Sequence, residues 1–105
     1  MRKILFFILL AVMLLPAGAS GKDLKVGFVY VSPVGDEGYS YAQDLGRKEV
    51  EKMEGVTTSY VEAVPEGSDS ERVIRNMARK DYDIIFATSF GYMDPVQKVA
   101  KDFPD

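Results

Sequence analysis

After residue 20, the apolar residues of this chain alternate between short continuous runs and stripes with helical spacing. The runs cover residues 24–31, 56–64 and 83–87 and are rich in β-branched and aromatic side chains, which favours strands buried on both faces. Between and after them, apolar side chains recur three and four positions apart, which predicts three helices. The stripes are Ala42, Leu45, Gly46, Val50 and Met53, then Val73, Ile74, Met77 and Ala78, and finally Val96, Val99, Ala100 and Phe103.

Residues typical of helix ends set the expected bounds of these helices. Ser40 and Ser68 each stand three residues before a Gln or Glu, which is the spacing of a capping box at a helix start. Gly55 is a natural stop for the first helix. Asp94 followed by Pro95 predicts the start of the third helix, with the aspartate as its N-cap.

The predicted order of elements is β-α-β-α-β-α. This order indicates an α/β fold with a three-layer parallel sheet and right-handed crossovers. In the common doubly wound arrangements the first strand is central, between the second and the third, and ligands bind beyond the carboxyl ends of the strands. We therefore expect the loops after the first and third strands to be neighbours and to hold the functional site.

The first nineteen residues are predicted to be a signal peptide and not part of the fold. Arg2 and Lys3 precede twelve apolar residues, 4–15, and a Pro-Ala-Gly-Ala sequence at residues 16–19, which is the pattern of a cleaved secretory leader. A twelve-residue helix is about 18 Å long, against a hydrocarbon core of about 30 Å, so an uncleaved anchor is disfavoured. We expect an exported, soluble, periplasmic product comprising residues 20–105.

Composition excludes several kinds of chemistry. The 105 residues include no cysteine and no histidine, which removes disulfides, Cys–His and Ser-His-Asp catalysis, and zinc sites of the usual nitrogen and sulfur type. The same lack of cysteine leaves no attachment site for the lipid of a bacterial lipoprotein. A net charge of −3 from mixed charges gives no basic surface for nucleic acid. We predict no catalytic residue, no metal site and no cofactor.

The loop after the first strand, residues 32–38, leads into several candidate ligand contacts. Asp36 and the adjacent Glu37 could hold a metal or act as an acid–base pair, but neighbouring acidic residues in a loop with Gly and Pro usually face water. Tyr39 could stack on a planar ligand while its hydroxyl stays in water, or it could pack the loop against the sheet. Ser40 could add a hydrogen bond to the ligand.

The loop after the third strand, residues 88–94, combines two hydroxyls, a glycine, two aromatic side chains and a carboxylate. This mixture suits a polar molecule with apolar faces. Phe90 is a candidate contact for such faces. Asp94 could accept hydrogen bonds from ligand hydroxyls, which is the alternative to its capping role.

Four segments together resemble the BMP (basic membrane protein) family of substrate-binding proteins. They read KVGFVYV at 25–31, GDEGYSYAQDLGR at 35–47, EAVPEG at 62–67 and, most specifically, DIIFATSFGYMD at 83–94. The resemblance implies the N-terminal part of a type I periplasmic-binding-protein lobe. Proteins of this family feed ABC importers and close two lobes over a ligand, purine nucleosides being the best-known class.

The resemblance also implies roles for individual residues. Tyr39 takes the position of the aromatic residue that stacks on the nucleoside base, and Ser40 stands where the family has an asparagine. Asp94 resembles the aspartate that contacts the ribose. The implied partners are a nucleoside-like small molecule and the membrane permease of an ABC importer.

Length distinguishes this chain from the family, whose members are normally several-fold longer. We therefore interpret the sequence as an N-terminal fragment, and its third strand would then be an open sheet edge. Two alternatives stay open. One is an exported α/β sensory or interaction domain that acts with a separate partner, and the other is a non-functional truncated fragment. An enzyme is the least favoured class.

Overall fold

The structure is a computed structural model that describes residues 23–105. The predicted signal peptide, residues 1–19, lies outside the described residues. The strands are β1 (Leu24–Val29), β2 (Val56–Val61) and β3 (Ile84–Ala87), and the helices are α1 (Tyr39–Glu51), α2 (Ser68–Arg79) and α3 (Met93–Asp102). Within residues 23–105, none of the helices has the length and hydrophobicity that crossing a membrane requires.

The three strands form one parallel sheet in the order β2-β1-β3. Val26 in the middle of β1 lies beside Thr58 of β2 and Ile84 of β3. The prediction of an α/β fold with a central first strand is therefore confirmed. Because all three strands are parallel, the loops that follow them lie at one edge of the sheet.

Alternating side chains of β1 build two apolar clusters, one on each face of the sheet. Val26, Phe28 and Tyr30 form the cluster on the face that α1 covers. The cluster on the opposite face is formed with α2 and α3 and consists of Val29, Val64, Ile74, Met77, Tyr92 and Val99. α2 packs closely against β1 at Gly27. A Cβ at this position would lie 2.7 Å from the sulfur of Met77 in α2. The three layers expected from the sequence are thus present.

β1 and β2 are shorter than the sequence runs suggested. β2 ends at Val61 and not at residue 64, because Ala63 has a left-handed backbone with φ of 53°. Beyond this turn the amide of Val64 donates a 3.0 Å hydrogen bond to the carbonyl of Tyr30. The chain therefore turns back across the end of β1, where the regular strand has already stopped at Val29.

The three side chains predicted to cap helices, Ser40, Ser68 and Asp94, make no capping hydrogen bond. α1 and α2 each begin directly after a glycine, so both serines lie inside the helices. A 3₁₀ turn over residues 90–92 runs straight into α3, which makes Met93 its first helical residue. Asp94 consequently lies within the first turn of α3, where a carboxylate is still favourable to the helix dipole.

α1 packs on the sheet through a face that the hydrophobic pattern did not predict. Leu45 and Met53 of the predicted stripe are 46% and 60% exposed, and Asp44 and Arg47 are buried in their place. The Tyr30 hydroxyl donates a 3.0 Å hydrogen bond to the Asp44 carboxylate. This contact rotates the polar side of the helix towards the sheet and leaves its apolar side in solvent.

Arg47 completes a buried polar network between α1 and the sheet. Its Nε lies 2.5 Å from the Asp44 carboxylate, its Nη1 donates to the Thr58 hydroxyl at 3.0 Å, and the guanidinium lies 4.7 Å from the centre of the Tyr60 ring. Burial raises the pKa of Tyr30, and its hydrogen bond to Asp44 adds to the shift. Burial would also raise the pKa of Asp44, but hydrogen bonds from Arg47 and Tyr30 outweigh it and lower that pKa.

β3 and α3 carry more exposed apolar surface than the sequence pattern indicated. Ile84 and Phe86 of β3 are 42% and 46% exposed, although the run was expected to be buried. In α3, Val99 is buried, whereas Val96 and Phe103 remain 38% and 37% exposed. The physical reason is the position of β3, which has β1 on one side and no paired strand on the other among the described residues.

Candidate ligand-binding site

The loops that follow the three strands meet at one edge of the sheet, which we call the carboxyl edge. It comprises the first loop (residues 30–38), the second loop (62–67) and the third loop (88–92), together with the first turns of α1 and α3. All five residues predicted to contact a ligand belong to these segments. They are Asp36, Tyr39, Ser40, Phe90 and Asp94.

Tyr39 connects the first and third loops. It is the first residue of α1 and is 56% exposed. Its hydroxyl donates a 2.5 Å hydrogen bond to the main-chain carbonyl of Thr88, at an exposed position. Thr88 is itself fixed to the end of β1, since its amide and its hydroxyl both donate to the carbonyl of Val29. The exposed ring of Tyr39 is therefore fixed at one end by the backbone of α1 and at the other by the hydrogen bond of its hydroxyl to Thr88.

Ser40 is fully buried beneath the first loop. Its hydroxyl lies 2.7 Å from the hydroxyl of Ser32 and accepts a 3.2 Å hydrogen bond from the Ser32 amide. This pair ties the start of α1 to the first loop. Ser32 is half-buried, so its hydroxyl is the more accessible member of the pair.

Two glutamates of the second loop, which the sequence analysis did not single out, fasten the other loops. Glu62 accepts a 2.8 Å hydrogen bond from the amide of Val34, and Glu66 accepts one of 2.8 Å from the Ser89 hydroxyl. The Glu66 carboxylate lies so close to Gly91 that a Cβ on this glycine would overlap it. The EAVPEG segment carried a signal for these roles, because it places two carboxylates directly after a strand of the predicted parallel sheet.

Tyr92 anchors the third loop to the second. It is fully buried, and its hydroxyl donates a 2.6 Å hydrogen bond to the carbonyl of Val64. Burial raises the pKa of Tyr92 to about 12, with a further contribution from the charge of Glu66. The phenol therefore stays protonated and remains a donor at neutral pH. Two residues earlier, Phe90 is 88% exposed on the same short turn.

The carboxyl edge is strongly acidic. Asp36 and Asp94 are exposed, the first in a 3₁₀ turn and the second in α3. The three loops and the first turn of α3 contain no lysine or arginine. Their carboxylates belong to Asp36, Glu37, Glu62, Glu66 and Asp94. Among the side chains of residues 23–105, no three that ligate metals converge on one point.

The geometry therefore suits reversible binding. Two exposed aromatic rings, Tyr39 and Phe90, stand on a surface whose loops are joined to one another by hydrogen bonds. Aromatic faces bind planar groups, and the surrounding carboxylates accept hydrogen bonds from N–H and O–H donors. An open groove of about 560 Å³ lies elsewhere, between α2 and α3 beside β3.

A family model matches residues 23–105, and its description is Bmp, an ABC transporter substrate-binding protein of the PnrA-like type. Among curated relatives, a purine-binding protein of Brucella abortus is 50% identical over 91 residues, and a putative ABC transporter glucose-binding protein of Haloferax volcanii is 46% identical over 88. These alignments cover 85% and 83% of this chain, but 26% and 22% of the relatives.

A solved structure shares the fold. An ABC transporter solute-binding protein from Conexibacter woesei superposes with a TM-score of 0.68 at 22% sequence identity, covering 78% of this chain and 27% of that one. The chain thus spans about a quarter of the length of each of these three proteins.

Proposed function

Because this chain belongs to the PnrA-like (Bmp) family of ABC transporter substrate-binding proteins, we propose that it forms the N-terminal part of an exported substrate-binding protein and supplies one side of the ligand site. The observation that carries this proposal is the exposed Tyr39 ring, fixed to the carbonyl of Thr88 at the carboxyl edge. A second lobe would supply the other side of the site, and closure of the two lobes would enclose the ligand. The transport partner is the membrane permease of an ABC importer.

The proposed ligand is a purine base or a purine nucleoside. One relative, at 50% identity, is named a purine-binding protein, and a purine ring matches the planar faces that Tyr39 and Phe90 present. The acidic carboxyl edge supports a ligand without phosphate groups, because its three loops offer no cation to balance them. Carboxylates accept hydrogen bonds from amino groups and from ribose hydroxyls alike.

Each candidate residue takes a role in this proposal. Tyr39 stacks on the purine, and Phe90 provides a second aromatic face. Asp94 accepts hydrogen bonds from the ribose, and Asp36 accepts them from the ring donors. Ser40 contributes through its hydroxyl pair with Ser32, which can turn one hydroxyl towards the ligand.

A titration monitored by NMR tests the proposed site. The purified, ¹⁵N-labelled product of the whole chain is titrated with adenine, adenosine, AMP and glucose at millimolar concentrations. We expect fast-exchange shifts for adenine or adenosine at Tyr39 and residues 89–92, smaller shifts for AMP and none for glucose. A half-site binds weakly, so the melting temperature should not change measurably.

Matched tyrosine variants identify the stacking residue. Tyr39→Ala should abolish the purine-induced shifts, whereas Tyr41→Ala, two residues further along α1 and 37% exposed, should leave them unchanged. Shifts caused by glucose but not by purines would reject the ligand class. Purine shifts away from the carboxyl edge would reject the site.

Export is tested on the same product. When the whole chain is expressed in a Gram-negative bacterium, we expect the periplasmic fraction to contain a polypeptide beginning at Ser20, detected by its intact mass. A cytoplasmic product that retains residues 1–19 would contradict the proposed export.

A further inference from the structure

We propose that the Ser32 hydroxyl donates a hydrogen bond to a ring nitrogen of the purine, and that the buried Ser40 hydroxyl sets the direction of this donor. Ser32 would be a specificity-determining residue, and Ser40 a positioning residue that acts through it. This assignment rests on the proposed function and adds two things to it: which of the two hydroxyls faces the ligand, and which kind of ligand atom that hydroxyl binds.

Hydrogen-bond donors are scarce among the side chains of the carboxyl edge. The three loops, all within the described residues, contain five side chains that can donate, and these are Tyr30, Ser32, Thr88, Ser89 and Tyr92. Four of their hydroxyls donate to acceptors within the protein, two to main-chain carbonyls and two to carboxylates. Ser32 is therefore the side chain of these loops whose proton remains to be assigned.

The direction of the Ser32 proton follows from its pair with Ser40. Ser40 is fully buried, and Ser32 supplies every hydrogen-bond partner of its side chain among residues 23–105, through the amide at 3.2 Å and the hydroxyl at 2.7 Å. If the Ser32 hydroxyl donated to Ser40, the Ser40 proton would be buried without an acceptor. An unpaired buried donor costs more free energy than an ordinary hydrogen bond gains. Ser40 therefore donates to Ser32, and the Ser32 proton stays free.

The free Ser32 proton lies beside the proposed stacking surface. Ser32 belongs to the first loop and is half-buried, whereas Ser40 lies beneath that loop. Ser40 directly follows Tyr39, whose ring is the exposed aromatic face of α1. A donor that is hydrogen-bonded to Ser40 is therefore close to Tyr39, where the edge of a stacked purine would lie.

A ring nitrogen is the ligand atom that such a donor fits. The lone pairs of purine N1, N3 and N7 lie in the plane of the ring and point outward from its edge. The carboxylates of the carboxyl edge accept hydrogen bonds but cannot donate them, so they suit the N–H and O–H groups of a ligand and repel its lone pairs. Ser32 supplies the complementary donor.

Deazaadenosines test the contact in the native chain. In each analogue a C–H group replaces one ring nitrogen of adenosine, at position 1, 3 or 7, and so removes one acceptor. We titrate 1-, 3- and 7-deazaadenosine into the ¹⁵N-labelled whole chain and compare their dissociation constants with that of adenosine. One analogue should bind about three- to tenfold more weakly, as expected for the loss of one neutral hydrogen bond, and the other two should bind like adenosine.

Variants of Ser32 identify the donor. Ser32→Ala should bind adenosine about three- to tenfold more weakly and should no longer distinguish it from the sensitive analogue. Ser32→Thr keeps the hydroxyl and should keep the preference. Ser89→Ala is the matched control on the neighbouring loop, because its hydroxyl already donates to Glu66, and it should also keep the preference. The ratio of the two dissociation constants is the readout, since a general loosening of the loop weakens both ligands alike.

The positioning role of Ser40 is tested first without a ligand. A buried, bonded hydroxyl proton exchanges slowly with water, so NMR at low temperature should detect the hydroxyl proton of Ser40 and not that of Ser32. Ser40→Ala leaves the Ser32 hydroxyl free to rotate and should reduce the preference for adenosine over the sensitive analogue. Circular dichroism of each variant checks that it is folded.

Three results would overturn the assignment while leaving purine binding in place. The first is equal binding of adenosine and all three deazaadenosines to the native chain, which needs no variant. The second is a preference that Ser32→Ala leaves unchanged. The third is a slowly exchanging hydroxyl proton on Ser32 in place of Ser40. A carboxyl edge that shows no shifts with adenine or adenosine would reject the proposed function itself, and the Ser32 contact with it.

Discussion

Replacing Asp44 with alanine removes the carboxylate that holds α1 on the sheet. In the folded chain this carboxylate accepts hydrogen bonds from the Tyr30 hydroxyl and from Nε of Arg47, and its side chain is only 6% exposed. The change leaves the buried guanidinium with Glu51 as its remaining ionic contact, at 3.6 Å and half in solvent. We expect this substitution to be the most destabilising single change in α1.

The expected loss in the free energy of unfolding follows from the burial of the Asp44–Arg47 ion pair. Breaking a buried ion pair by removing one partner costs about 3–5 kcal/mol, because the other charge stays buried without compensation. The 83 described residues correspond to a total stability of about 4–12 kcal/mol at typical values per residue. Asp44→Ala should therefore remove a large part of the free energy of unfolding.

Urea denaturation followed by circular dichroism measures the effect. Glu49→Ala is the matched control, because the ion pair between Glu49 and Lys52 lies on the same helix with both side chains more than two-thirds exposed. That change should cost less than about 1 kcal/mol. A triple variant, Tyr30→Phe with Asp44→Leu and Arg47→Met, removes all three polar groups together and should be far more stable than Asp44→Ala alone.

Equal effects of Asp44→Ala and Glu49→Ala on the free energy of unfolding would contradict this prediction. The Asp44–Arg47 pair would then behave as an ordinary surface pair, and the packing of α1 would need another cause. A triple variant no more stable than Asp44→Ala would reject the explanation by an uncompensated buried charge.

Three further predictions concern the carboxyl edge and the effect of pH. Gly91→Ala should displace the exposed Glu66 carboxylate and break its hydrogen bond with the Ser89 hydroxyl, at a cost of about 1 kcal/mol or less, and Glu66→Ala should remove this cost in a double-mutant cycle measured by urea denaturation. The pKa of Asp44 is lowered in the folded chain, so its stabilising contribution is present above about pH 3.9 and is lost as the pH falls through the folded value; Asp44→Asn should flatten the acid limb of the stability curve, and an unchanged limb would contradict the assignment. The pKa values of Tyr30 and Tyr92 are both raised in the folded chain, that of Tyr92 to about 12, so stability should fall as the pH rises above about 10. Tyr92→Phe should remove its own share of this loss, up to about 2–3 kcal/mol, from alkaline denaturation curves, while the share of Tyr30 stays.

Sequence pattern predicted the elements and their order because β-branched runs and helical spacing are local signals. The ends of the strands were harder to predict from the sequence. β2 ends where Ala63 adopts a left-handed backbone, a conformation that is rare for alanine. The start of α3 was displaced by two residues because a 3₁₀ turn continues directly into the helix, which a cap-and-proline signature does not reveal.

The packing face of α1 could not be obtained from hydrophobic periodicity. Hydrophobic periodicity assigns charged residues to solvent, but Asp44 and Arg47 neutralise each other one turn apart, and Asp44 accepts a hydrogen bond from the Tyr30 hydroxyl. Burial of these charges depends on a contact between residues 14 positions apart, and the helix sequence alone does not contain that information. The signal for this packing is an opposite-charge pair one turn apart on a helix, together with a tyrosine directly after the strand that the helix covers.

The location of the candidate site was predictable, but its internal contacts were not. The topology of a parallel sheet brings the loops after β1 and β3 together, so Tyr39 and Phe90 were expected at one edge. The hydrogen bond from the Tyr39 hydroxyl to Thr88 depends on the separation between two loops, which is fixed only in the assembled fold. The same holds for Glu66 and Gly91, whose contact joins loops 25 residues apart.

The hydrogen bonds between the three loops form a closed circuit. Glu62 links the second loop to the first, Tyr39 links the first to the third, and Tyr92 links the third to the second. In a closed circuit, the loss of any one link still leaves every pair of loops connected through the remaining two. Single substitutions at this edge should therefore change ligand contacts without releasing a loop, which leaves the surface free to diversify while its framework persists.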